Sequence, residues 1–410
     1  SAELAKAESS PDLIIKRMTF SPMFAINVTK AELEKLAADP AVIRIQEDQI
    51  DKPTLLQSLP LIQMPAAYTA GATGTGYHVA VLDTGARRSH EFLNPRMTHA
   101  ACFGTTDPQY PSVSYCPGGA SSSTNIDSAN DCDEATIFGC GHGTHTNGTV
   151  AGFNSNLQAG EPQNGVARDA RLININVFSR FAANSQPCQG LPAQYTGGCV
   201  LTFTSDQIRG LEYVYSLRNT LNIAAASMSL GGGGTPVACD NDMRKSIIDQ
   251  LRAANIATVI AAGNDGLDTQ VGAPGCISSA ITVASSTKQD ARSSFSNWGS
   301  LIDVVAPGSD ILASYPNGNS NTFYKSLNGT SMATPHVAGA WAALRSRVPN
   351  ATVSQIEAAL ESTGLGISSA GFTKPRIRVN NALTSLLGGP PPGGPVNDNF
   401  ASRTNIPAPS

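Results

Sequence analysis

Charge is scarce in these 410 residues, with 14% Asp, Glu, Lys and Arg, a formal net charge of −4 and no long Lys/Arg run. Nucleic acid is therefore excluded as a partner, because nothing is present to neutralise a row of phosphates. No uninterrupted apolar run approaches the roughly 20 residues of a membrane span, so no membrane partner is expected. The eight cysteines include no Cys-x-x-Cys pair, which weighs against a zinc site. A Gly-x-Ser-x-Gly elbow is missing too, and with it the usual signature of an α/β-hydrolase esterase. The opening Ser1-Ala2-Glu3-Leu4-Ala5-Lys6 has neither the basic start nor the apolar stretch of a secretory leader. Export is then expected to use a segment removed before this numbering begins.

What the chain does have is small residues: 38 glycines within a sequence that is 41% hydrophobic, enough for one large, closely packed core. Cysteines fall at 102, 116, 132, 140, 188, 199, 239 and 276, an even number that favours disulfides and a place outside the cytosol. Pairs 188–199 and 239–276 are expected, while the pairing of the other four stays open.

Three short segments carry the chemistry. Val79-Ala80-Val81-Leu82-Asp83-Thr84-Gly85 is an apolar run ending in a carboxylate, as expected of a buried parallel strand delivering Asp83 at its tip. Gly141-His142-Gly143-Thr144-His145 opens a helix of small residues. Asn328-Gly329-Thr330-Ser331-Met332-Ala333-Thr334-Pro335-His336 places a serine at a helix start, where free N–H groups and the positive dipole end converge. Pro335 is read as a first-turn residue with no intrahelical N–H bond to lose. His142 and His145 lack the glutamate of a metalloprotease helix, so metal is not expected on them.

Asp, His and Ser in this order resemble the three motifs of the subtilisin-like serine proteases, the subtilases, over roughly residues 75 to 350. The resemblance implies Ser331 as nucleophile, His142 as general base and Asp83 as the group that orients it. Asn264, in Ala261-Ala262-Gly263-Asn264, is similar to the family's oxyanion donor. Ser229, Leu230 and Gly231 are similar to its substrate-binding segment. No cofactor is required, although the resemblance allows a structural calcium ion. Substrates would be proteins or peptides, with an apolar or aromatic preference suggested by the uncharged Val271-Gly272-Ala273-Pro274-Gly275.

Short apolar strands at Val79–Leu82, Arg171–Val177, Ala224–Ser229, Ala257–Ala262 and Ile281–Ala284 alternate with helix-length intervals. The expected fold is α/β, a mostly parallel central sheet with helices on both faces, spanning residues 53–387. Residues 1–52 form a small α+β unit with apolar runs Leu13–Met18 and Met23–Val28, a capping box at Thr29 to Glu32 and a strand at Ala41–Gln46. That unit resembles a truncated inhibitory propeptide, which would make it an intramolecular inhibitor of an otherwise monomeric enzyme. A polar linker around Asp51–Ser58 is the expected maturation site. Residues 102–140 read as a surface insertion, and 388–410 as a Gly/Pro-rich linker and tail. The competing reading is a catalytically silent subtilase-like binding module held in its pro-form.

Overall fold

The computed structural model describes residues 16–17, 24–25, 28–42, 55–158 and 160–389. The chain divides into two units, Ser1–Lys52 and Pro53–Ser410. In the first, Lys16–Arg17 pairs antiparallel with Phe24–Ala25, and a helix runs over Lys30–Ala37. Its capping box forms as read: the Thr29 N–H donates to Glu32 Oε2 at 2.8 Å, and the Glu32 N–H returns to Thr29 Oγ1 at 3.4 Å. Leu36 is buried but Leu33 stays exposed. Most of the expected strand Ala41–Gln46 lies outside the described residues.

The second unit is built on a ten-stranded sheet. In chain order its strands are β1 His78–Asp83, β2 Met97–Phe103, β3 Ser122–Ser123, β4 Arg171–Asn176 and β5 Ile223–Met228. There follow β6 Ala257–Ala261, β7 Ile281–Ser286, β8 Val304–Pro307, β9 Leu365–Ser369 and β10 Phe372–Arg376. Across the sheet they run β9-β10-β8-β7-β6-β5-β1-β4-β2-β3. The interior pairings are all parallel, and an antiparallel strand closes each edge. All five strands read from the sequence are present in this sheet.

Burial on both faces explains why β1, β5 and β6 are largely apolar without polar alternation. Val79 and Val81 of β1 join one core cluster with helix α4 (Thr330–Arg347) and its Trp341. Ala80 and Leu82, pointing the other way, join Leu211 of α2 (Thr204–Ser216) and Ile248 and Leu251 of α3 (Lys245–Ala253). The result is three layers, helix on sheet on helix. Side chains of α4 from Met332 to Leu344 are buried all round, as for a helix threaded through a core.

Two sequence expectations change. The last part of the linker, Leu55 onward, is helical (Leu55–Leu61), and Ser58 is buried with its hydroxyl 2.8 Å from His336 Nε2. The segment 102–140 is also not simply superficial. Cys102 lies in β2, fully buried, and Ser112–Ser114 and Ile137–Phe138 join a four-stranded sheet with Ser179–Phe181 and Gly198–Leu201. Disulfides 188–199 and 239–276 form as expected, and the open four resolve as 102–116 and 132–140.

Candidate active site

Parallel register brings the functional segments to one edge. Leu82 pairs with Met228 and Asp83 with Asn176, so Asp83 ends β1 next to Ser229, which follows β5. Helix α1 (His142–Ala151) packs against both β1 and α4, completing the crevice at the carboxyl ends of the strands.

Asp83 is 1% exposed, and its charge is met on every side. Its Oδ1 accepts from the Thr84 N–H at 2.8 Å and from His142 Nδ1 at 2.7 Å, while Oδ2 accepts from Thr146 Oγ1 at 3.0 Å. A carboxylate can only accept, so the proton lies on Nδ1 and the lone pair on Nε2. Burial pulls the His142 pKa down, but the charge and hydrogen bond of Asp83, helped by Glu134, outweigh it and leave it above the ordinary imidazole value. Thr84 then fixes the helix itself, its Oγ1 accepting from the Gly143 N–H at 2.9 Å.

Ser331 sits in the first turn of α4. Its hydroxyl donates to the Ser229 carbonyl at 3.2 Å, and Ser229 Oγ donates back to the Ser331 carbonyl at 2.9 Å. The second bond corrects the reading of Pro335. That residue lies in the second turn, where its missing N–H leaves the Ser331 carbonyl without an intrahelical donor, and the Ser229 hydroxyl fills the vacancy. Asn264 meets the same helix start from β6: its Oδ1 accepts from both Thr330 N, at 2.8 Å, and Thr330 Oγ1, at 3.0 Å. The carboxamide is thereby oriented with Nδ2 as its remaining donor.

Ser229, Leu230 and Gly231 lead into an exposed strand, Gly232–Thr235, that pairs antiparallel with Val271–Ala273. The other two histidines of the motifs face away from this crevice. His145 Nε2 is 2.8 Å from the Ile311 carbonyl, and His336 bonds Met332 O and Ser58. Burial holds both far below the usual imidazole value, at about 3 and about 4, so they remain neutral structural groups.

The Subtilase family model matches residues 74–385. The chain belongs to the subtilase family. It is 32% identical to alkaline serine exoprotease A of Vibrio alginolyticus over 90% of this chain and 61% of that protein. It is 33% identical to the extracellular serine proteinase of a Thermus species (strain Rt41A) over 86% of this chain and 74% of the relative. Among solved structures, a protease from Pseudoalteromonas arctica matches with TM-score 0.62 and 29% identity, covering 79% of this chain and 94% of that one. The subtilase described here is a serine endopeptidase by family, and such catalysis needs no cofactor.

The calcium ion allowed by the resemblance finds no fitting donor set in the acidic cluster of Asp303, Glu357 and Glu361. Burial pushes the Asp303 carboxyl up to about 7 and raises Glu361 as well, Arg252 takes Glu357, and the Lys374 ammonium offsets part of the charge on Asp303 and Glu361. A cluster already compensated by cations and partly protonated is a poor cage for a hard dication. Several residues of the site escaped the sequence reading. Thr146 had a signal, four residues after His142 on the same helix face, and Thr330 adjoins Ser331; Glu134 and Tyr315 had none.

Proposed function

We propose that this subtilase is a secreted, monomeric endopeptidase in which Asp83, His142 and Ser331 act together on protein and peptide substrates. The observation that carries this reading is the Asp83–His142 hydrogen bond of 2.7 Å, which leaves Nε2 as acceptor in the crevice that also holds the Ser331 hydroxyl. In the resting enzyme that hydroxyl points to Ser229 O. During turnover Nε2 removes its proton as Oγ attacks the peptide carbonyl, and the imidazolium then protonates the leaving amine. Asp83 keeps the required tautomer and stabilises the imidazolium.

The oxyanion is met by the Ser331 N–H at the positive end of α4 and by Asn264 Nδ2, already aimed by Thr330. Ser229, Leu230 and Gly231 pair with the substrate main chain, and the uncharged Val271–Gly275 segment favours apolar or aromatic side chains before the cut bond. Residues 1–52 act as the propeptide and 388–410 as a linker and tail around the catalytic body 53–387. Burial of Ser58 supports a maturation cut N-terminal to Leu55, which sequencing of active material checks. The decisive experiment is a fluorophosphonate probe: wild type is labelled and Ser331→Ala is not. Absence of labelling in folded wild type would favour the silent binding module.

A further inference from the structure

The segment before His142 is a lock. Gly141 caps α1 without a side chain, and its N–H is taken by Glu134 Oε2 at 2.7 Å. The Tyr315 ring lies flat against that glycine, so closely that a Cβ there would sit 2.4 Å from Cζ. The Tyr315 hydroxyl lies close enough to the same Glu134 carboxylate to feel its charge, and the Lys325 ammonium lies 4.4 Å from the Tyr315 ring centroid. Burial, together with Glu134, raises the Tyr315 pKa, so its hydroxyl remains a donor. Glu134 itself sits inside the loop closed by Cys132–Cys140, which ends one residue before Gly141.

We propose that Glu134 is a positioning residue for proteolysis: held by the Gly141 N–H, its carboxylate fixes the start of the helix that carries His142 and lays a second negative charge beside the imidazolium formed during turnover. The proposal rests on His142 being the general base. The physical need is plain. A cationic ring at the first residue of a helix meets the positive end of the dipole, and Asp83 alone faces that cost from the strand side. Glu134 supplies the opposing charge from the loop side. The remaining charged neighbours are engaged elsewhere: Arg87 pairs with Asp131 at 2.7 Å, Asp133 Oδ2 accepts from Thr136 Oγ1, Lys325 covers Tyr315, and His145 is neutral.

Glu134→Gln preserves size and the acceptor for Gly141 but removes the charge. Because the base works as neutral imidazole, the acid limb of the kcat/KM profile should move to lower pH, by roughly half a unit to one unit. At the plateau kcat should fall about tenfold with KM unchanged, since the charge acts on the transition state. Glu134→Asp, which keeps the charge, should return the limb toward wild type. A Glu134→Gln profile superimposable on wild type in both limb and plateau would overturn the proposal. His142→Ala separates the two levels of the reading: if it keeps activity, the base assignment fails. If it is inactive while Glu134→Gln is unchanged, only the role of Glu134 fails.

Discussion

Two neighbouring regions hold their shape by opposite means. Around α1 and α4 the chain relies on close approach: a Cβ at Gly143 would lie 2.1 Å from the Gly85 carbonyl oxygen, and one at Gly152 would lie 2.0 Å from the Phe92 ring. No disulfide crosses this pair of helices. The four-stranded sheet beside it has only small apolar clusters, Ile137, Cys140 and Val200 in one and Phe181, Cys188 and Cys199 in the other. Tyr110, Val113 and Phe138 remain exposed there. Three disulfides, 102–116, 132–140 and 188–199, stand in for the missing core. Packing suffices where long elements bury large area, and covalent closure takes over where strands of two to four residues cannot.

Acid should break the contrast most strongly. His90, His145 and His336 all lie in the packed region, and burial lowers them from 6.5 to about 4, 3 and 4. Below pH 6.5 the unfolded chain binds protons that the folded chain refuses, so their contribution, present above that value, is lost as pH falls toward 4. Asp303, raised to about 7, opposes this as a single group. A net loss of a few kcal/mol per pH unit is expected. Denaturant midpoints flat between pH 7 and 5 would refute it.

Gly143→Ala comes next. The new methyl must displace the Gly85 backbone and with it the Asp83–His142 pair, which should cost about 3 kcal/mol and abolish fluorophosphonate labelling. A labelled variant melting at the wild-type temperature would show that the packing there is looser than argued.

Removing the 188–199 bridge as Cys188→Ser with Cys199→Ser should lower stability by about 3 kcal/mol by loop entropy for a separation of 11 residues, with kcat/KM preserved. The smallest effect is expected from Phe138→Ser. Its ring is 47% exposed and touches Tyr195 at 5.1 Å between centroids, so stability should change by only about 0.5 kcal/mol. Calorimetry on both variants ranks the two contributions, and a large loss from Phe138→Ser would mean that the stapled sheet has more of a core than its clusters imply.

The sheet was legible because its strands are buried on both faces and so read as largely apolar runs; β1, β4, β5, β6 and β7 all appear within a residue or two of expectation. Asp83, His142, Asn264 and Ser331 stand out as candidates because each sits in a short motif at the end of such a run or the start of a helix. Where the sequence failed, the partner was remote. Pro335 looks like a first-turn proline until Ser229, 102 residues from Ser331, is seen supplying the lost hydrogen bond. Ser58 reads as linker until His336, 278 residues on, binds it. Glu134 and Tyr315 have no local signature at all, since their meaning lies in a shared contact with Gly141. Local sequence determined which elements form and which side chains could do chemistry. Only the folded chain decided which carboxylate, hydroxyl and carbonyl stand beside them, because hydrogen bonds and charges act over a few ångströms of space whatever the distance along the polymer.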